Sequence, residues 1–339
     1  MRRVMQYLCS RTGVARLLAL LPAAAIGFFL IVPFAHAQSH KGWPSRVTFA
    51  TGPTGGFGYT MAAPWSATVG SATGVAISPE VTSGIPFNVQ MTETKKAEVG
   101  VGTSDIVIMG LKGQAFFKDK KPIADVRTMF MFVPFVFQMY TDARSNIKTI
   151  DDLNGKTMNP SRRGSQTDVV LRGLVKTFDL KPKQISNVSP PQANDLMADG
   201  RLDVAMAAGA VPHPAATQFE ARLPLRIIGL TKEQQQKFLA ANPQLSPMTI
   251  PANAFKGQTE PKLTVGSYTM VVVNKDLPAD FVYAMLKATY DHKTDLAHAY
   301  KAYSKLDYKS ILNSPIPLHA GAVKFFEEHG VKIPDKLKG

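Results

Sequence analysis

Two stretches carry residues whose types and spacing can do chemistry. The first is Ala50-Thr51-Gly52-Pro53-Thr54-Gly55-Gly56-Phe57-Gly58-Tyr59-Thr60, which follows the strand-like Arg46-Val47-Thr48-Phe49-Ala50 and runs into a helix-like segment. Glycines at such a turn allow positive φ and close backbone approach, and the first amides of the helix are unpaired donors that favour an anion. The same residues also make an ordinary tight turn. Neither the Gly-Lys-Ser/Thr ending of a P-loop nor the spacing of a dinucleotide fingerprint is present, so nucleotide binding is disfavoured. The second stretch is Asn159-Pro160-Ser161-Arg162-Arg163-Gly164-Ser165-Gln166-Thr167-Asp168. Here one of two adjacent arginines, Arg162 or Arg163, is expected to join Ser165, Thr167 and free helix amides as a charge-assisted donor.

Catalytic constellations are missing. The histidines His213, His292, His298, His319 and His329 lack the His-Glu-x-x-His spacing, and no Gly-x-Ser-x-Gly elbow surrounds a serine. Asp151-Asp152 reads as a solvated face. No metal site, cofactor or enzymatic activity is expected, and the chain reads as built to hold a ligand.

The elements that must position these residues alternate. At the N-terminus, Arg2, Arg3, Arg11 and Arg16 precede the apolar run Leu17 to Phe34, which ends in Ala35-His36-Ala37. This reads as a secretory signal peptide over 1–37, with a retained anchor as the alternative, and places the mature chain in the periplasm. Cys9 lies inside it, so the remainder has no thiolate for disulfides, zinc or nucleophilic catalysis. Losing four arginines and no acids lowers the formal charge from +14 to +10. Export and the scatter of the cations argue against nucleic acid and for an acidic ligand. About 300 residues with 45% apolar content support two lobes with their own cores.

Three strand-turn-helix passages open the chain: the glycine-rich turn, the turn Val81 to Asn88, and Thr103-Ser104-Asp105 after Val99-Gly100-Val101-Gly102. In an open α/β sheet such turns gather where ligands bind. Tyr59 to Val69 reads as a helix kinked or ended at Pro64. Thr128 to Tyr140 reads as a buried strand pair broken at Pro134, its phenylalanines mostly core. A second lobe is expected from about Tyr140, containing the helix with Val170, Leu171, Leu174, Val175 and Phe178 on one face. The small-residue run Ala208-Gly209-Ala210-Val211-Pro212-His213-Pro214 allows close backbone approach. Met248 to Phe255 reads as an irregular link, and Leu263 to Val273 as a strand returning to the first lobe.

The order of these motifs resembles the TAXI family of solute-binding proteins, which serve TRAP (tripartite ATP-independent periplasmic) transporters. Ile316-Pro317-Leu318-His319-Ala320-Gly321-Ala322 with the following aromatics looks like the family's Pro-Leu-His-Pro-Gly-Ala ending. The glycine-rich opening with Tyr59, Ser83-Gly84 to Asn88, Ser104-Asp105, Asp152 to Lys156 and Gly164-Ser165-x-Thr167 fall in the family's order. The resemblance implies an α/β, type II-like periplasmic binding protein whose two lobes are joined by two crossover strands. Its segments would be 38–140 for the first part of lobe I, 141–262 for lobe II, and 263–339 for the return strand and the rest of lobe I. It implies a monomeric receptor that closes on a small organic acid and presents it to TRAP membrane subunits. The ligand would meet Thr54, Gly55, Gly56, Phe57, Tyr59, Ser83, Asn88, Ser104, Asp105 and Phe135 from lobe I, and Arg163, Ser165, Gln166, Thr167 and Gly209 from lobe II. His319 is expected to be a fold element.

Two departures bear on the ligand. Ser83-Gly84-Ile85-Pro86 stands where the family has Ser-Gly-Gly-Ser, and Val133-Pro134-Phe135 where it often has Tyr-Pro-Glu. The second replaces a carboxylate that can pair with an ammonium, so the expected ligand is a carboxylate without an amino group. Alternatives are a tricarboxylate-type receptor, which Trp43-Pro44-Ser45-Arg46 and Gly55-Gly56 faintly resemble, an exported enzyme on the same fold, and a receptor that docks on a sensor.

Overall fold

The computed structural model describes residues 42–339, and the expected signal peptide lies outside the described residues. The chain opens with β1 (Arg46–Gly52), α1 (Phe57–Thr73), β2 (Ala76–Val81), α2 (Ile85–Glu93), β3 (Val99–Thr103) and α3 (Ser104–Leu111). β1 pairs in parallel with both β2 and β3, so the helices between them return over the sheet. The long β4 (Val126–Asp142) follows. Next come β5 (Thr157–Asn159), α4 (Gln166–Thr177), β6 (Gln184–Ile185), α5 (Pro190–Ala198), β7 (Val204–Gly209), α6 (Pro214–Glu220) and β8 (Leu225–Ile228). The chain continues with α7 (Lys232–Ala241), β9 (Ser246–Ile250) and the second long strand, β10 (Lys262–Asn274). It then packs α8 (Ala279–Asp291) and α9 (Lys293–Ala299) beside α1, and α10 (Ala320–Glu328) against α8.

The sheet order is β2-β1-β3-β10-β4-β7-β5-β6, with β8 on β4 and β9 on β10. β4 and β10 each serve two sets of partners. Over Val126–Met131 β4 pairs with the end of β10, whereas from Val136 it pairs with β7 and then β8. β10 pairs with β9 up to Gly266 and with β3 from Thr269. Both strands change partners side by side, where Ser267 faces Phe135 and Tyr268 faces Pro134. We call the part built on β1, β2 and β3 lobe I and the part built on β5, β6, β7, β8 and β9 lobe II.

Three local expectations change. α1 continues through Pro64 to Thr73, because burying Met61, Ala62, Trp65 and Val69 outweighs the roughly 3 kcal/mol that an interior proline costs. β4 is one strand, not a broken pair, since Pro134 sits exposed at a register slip where no ladder donor is needed. The link over Met248–Phe255 begins as strand, with β9 antiparallel to β10. The phenylalanines of β4 meet the core expectation: Phe130, Phe132 and Phe137 are buried.

Candidate functional site

A cavity of about 60 Å³ lies between the lobes. Its wall is built from helix beginnings. Lobe I supplies Thr51, Gly52 and Pro53 from the end of β1, Gly56, Phe57 and Gly58 from the start of α1, Gly84 and Ile85 from the start of α2, and Phe135 from β4. Lobe II supplies Ser161, Ser165, Gln166 and Thr167 before and within the first turn of α4, Pro190 at the start of α5, Met206, Ala207 and Ala208 from β7, and His213. Four helices of nine or more residues therefore open on one space.

Free first amides come from α1 and α4, because α5 begins with Pro190 and Pro191 and α2 has Pro86 at its second position, and proline carries no N–H. At α4 the Ser165 hydroxyl accepts the Asp168 N–H at 3.2 Å, which leaves the Gln166 and Thr167 N–H groups without partners among the described residues. Phe57 and Gly58 are in the same position, because the Gly56 N–H donates to the Pro53 carbonyl at 2.9 Å and intrahelical bonding starts only with Thr60. The lining contains no Asp, Glu, Lys or Arg. Its electrostatics come from helix dipoles and backbone amides, which favour negative charge.

Glycines set how closely these parts approach. A Cβ on Gly58 would lie 2.1 Å from the Thr51 carbonyl oxygen, so only glycine lets α1 start against β1. Gly209, at φ 153°, lies under the Phe57 ring, and Gly55 abuts Pro191. The lobes are thus in direct contact across the cavity, with Phe57 reaching lobe II while its ring also meets Phe135 edge-on at 5.6 Å.

Of the residues singled out from the sequence, Gly56, Phe57, Phe135, Ser165, Gln166 and Thr167 line this cavity. Thr54 and Ser83 are exposed, Tyr59 is half-buried, and none of the three belongs to the lining. Arg163 is exposed and Arg162 half-buried, both outside the lining, because the loop turns through Gly164 at φ 76°. Asn88 is a fastening residue: it takes the Thr82 hydroxyl on Oδ1 at 2.5 Å and donates Nδ2 to the Val101 carbonyl at 3.1 Å. The Ser104 hydroxyl accepts the Tyr268 N–H at 3.2 Å.

Asp105 does not cap α3, whose cap is Thr103. Its carboxylate is 1% exposed and bridges the lobes, Oδ2 accepting the Gln166 Nε2–H at 2.5 Å while Oδ1 has no partner among the described residues. Burial pushes this carboxyl above the usual carboxylate range, against the opposing pull of Thr103, Ser267, Gln166 and the Ile106 amide. A folded-state pKa raised in this way gives stability that is lost as pH rises through it. Asp105→Asn is therefore expected to raise the melting temperature at pH 8 by on the order of 2 to 4 °C and to gain less at pH 4. Differential scanning calorimetry at both pH values checks this.

Sequence reading did not place His213, Gly84 or Ser161 in the wall. His213 caps α6, its Nδ1 accepting the Ala215 N–H at 3.0 Å, and burial lowers its pKa to about 4. A histidine before Pro214 at a helix start was the available signal, but His319 carries the same cap signature at α10 and lies outside the lining.

The profile of the NMT1-like family matches residues 49–330. The chain belongs to that family. It corresponds to the TAXI-type solute-binding proteins of TRAP transporters. Among solved structures, the NMT1-like chain is similar to the periplasmic binding protein BugD, with a TM-score of 0.53 and 12% identity over 77% of this chain and 88% of that one. It is also similar to a structure described as a periplasmic transporter, with a TM-score of 0.51 and 14% identity over 84% of this chain and 93% of that one. At such identities the likeness shows the fold, which is that of type II periplasmic binding proteins. No helix among the described residues is long and apolar enough to cross a membrane.

Proposed function

We propose that this solute-binding protein takes a small carboxylate into the interlobe cavity in the periplasm and presents the closed form to TRAP membrane subunits. One observation carries the reading: helix N-termini from both lobes converge on a space whose lining has no charged side chain. An anion placed there would meet unpaired amides and four favourable dipoles in a low-dielectric setting. A ligand ammonium would find no carboxylate, since Phe135 stands in the wall and Asp105 lies outside the lining. That supports an acid without an amino group. The wall also offers little for turnover, its one titratable side chain being a histidine already held neutral.

Binding by closure is population shift: the ligand stabilises the form in which both lobes reach it. Of the residues named from the sequence, Gly56, Phe57, Phe135, Ser165, Gln166 and Thr167 are the proposed contacts, with Asp105 and Gly209 acting on closure. The test is calorimetry on ligand-stripped protein with acids, their amides and their amino analogues. Acids are expected to bind, and the uncharged amides at least tenfold more weakly; equal binding of an acid and its amide would overturn the anion reading. In the same titrations Arg163→Ala is expected to leave affinity within about twofold, because an exposed guanidinium outside the wall contributes little through water. A loss of tenfold or more would return the arginine to the site.

A further inference from the structure

Most polar side chains of the cavity wall are already engaged. The Thr51 hydroxyl donates to the Glu80 carbonyl at 2.7 Å, the Ser165 and Thr167 hydroxyls bond each other at 2.9 Å, and Gln166 gives its Nε2–H to Asp105. His213 differs. Its ring is buried in the wall, and its Nδ1 is occupied as acceptor of the Ala215 N–H at 3.0 Å. A neutral imidazole has one N–H, so an accepting Nδ1 places the proton on Nε2. That Nε2 makes no hydrogen bond to any described residue, and the protein does not fully enclose it, in keeping with the place of His213 in the cavity lining.

The ring is also held in place. The His213 backbone N–H donates to Gln138 Oε1 at 3.1 Å, and Gln138 in turn donates Nε2 to the Ala210 carbonyl at 3.0 Å, with Gln138 itself fully buried. The cap on α6 fixes one edge of the imidazole, so the other edge is fixed as well. The outcome is a pre-oriented neutral donor in a wall whose remaining free donors are mainly backbone amides at helix starts.

We propose that His213 is a specificity-determining residue, its Nε2–H donating to an acceptor oxygen of the ligand other than the carboxylate held by the helix N-termini. This rests on the carboxylate reading above. A keto or hydroxyl oxygen satisfies the donor. A methylene leaves it unpaired in a dry cavity, and an ammonium sets donor against donor, both of which are costly. Discrimination of this kind is strong because a buried polar group of the protein is stranded by the wrong ligand.

The experiment uses matched acids on ligand-stripped protein: pyruvate, lactate, propionate and alanine, and the five-carbon series 2-oxoglutarate, 2-hydroxyglutarate, glutarate and glutamate. Wild-type protein is expected to bind the oxo or hydroxy acid of at least one series at least tenfold more tightly than its unsubstituted and amino counterparts. His213→Asn keeps a side-chain acceptor for the cap on α6 and withdraws the Nε2 donor. It is expected to lose the preference, the oxo and hydroxy acids falling at least tenfold while the unsubstituted acid changes by less than threefold. If the variant keeps the wild-type ratio, or loses all acids equally, His213 is a structural cap and the proposal is overturned. Wild-type binding of unsubstituted and oxo acids with equal affinity would also overturn it while leaving the carboxylate reading intact. Binding of none of the eight acids by wild-type protein would remove both.

Discussion

Gly209→Ala is expected to hold the lobes apart and to weaken ligand binding by on the order of ten- to a hundredfold, the equivalent of about 1 to 3 kcal/mol of overpacking. A Cβ at this position would lie 2.5 to 2.7 Å from Cδ2, Cγ and Cβ of Phe57. The near end of the ring cannot swing away as the far end of a flexible side chain can, because Phe57 sits in the first turn of α1 against Phe132 and Phe135. The clash exists only when lobe I meets lobe II, so its cost falls on closure. A separate strain, from the φ of 153° that only glycine adopts readily, falls on the end of β7 and appears as a lower melting temperature. Small-angle scattering with saturating ligand separates the two effects. A variant that compacts as wild type does, with unchanged affinity, would show that closure does not bring Phe57 onto Gly209.

Acid is expected to cost the protein about 3 kcal/mol through His213, which follows from a pKa lowered from 6.5 to about 4 at 1.36 kcal/mol per unit. The sign follows from proton counts. Between these values the unfolded chain binds a proton at this histidine and the native one does not, so stability is present above pH 6.5 and is lost as pH falls toward 4. Asp105 acts in the opposite sense, its raised pKa letting the native protein hold a proton that the unfolded chain releases. Urea denaturation at pH 7.5, 6, 5 and 4 is expected to give a shallower acid decline for His213→Asn and a steeper one for Asp105→Asn. Parallel slopes for all three proteins would mean that neither group is buried in the native state as described.

The two groups also show what kind of information the chain carries locally. Glycines 55, 56 and 58, Ser165 at a helix cap and Gln166 behind it announce helix starts through local chemistry, and all of them sit at helix starts in the fold. Caps and turns are decided by neighbours within four residues, so they are readable. The same chemistry does not say whether a helix start faces a ligand. His213 and His319 both cap helices through Nδ1, yet only His213 borders the cavity. Asp105 follows a strand at a helix start, yet what it does there is bridge to Gln166, sixty-one positions away.

The order of elements and the family were written in the sequence, because strand-turn-helix periodicity and the collinear motifs depend on short spacings. Two polar turns and a basic pair also made an anion the expected ligand. Tertiary structure decided which of these residues border the cavity. Arg163 and Ser165 are two positions apart, but the turn at Gly164 leaves the guanidinium exposed and puts the hydroxyl in the wall. The wall joins Phe57 to Gly209 and Gly84 to Ser165 across β4 and β10, and which faces meet depends on where those two strands change partners, at Phe135 and Ser267. Packing across that crossing leaves helix starts and no Asp, Glu, Lys or Arg in the lining, and no local pattern encodes it.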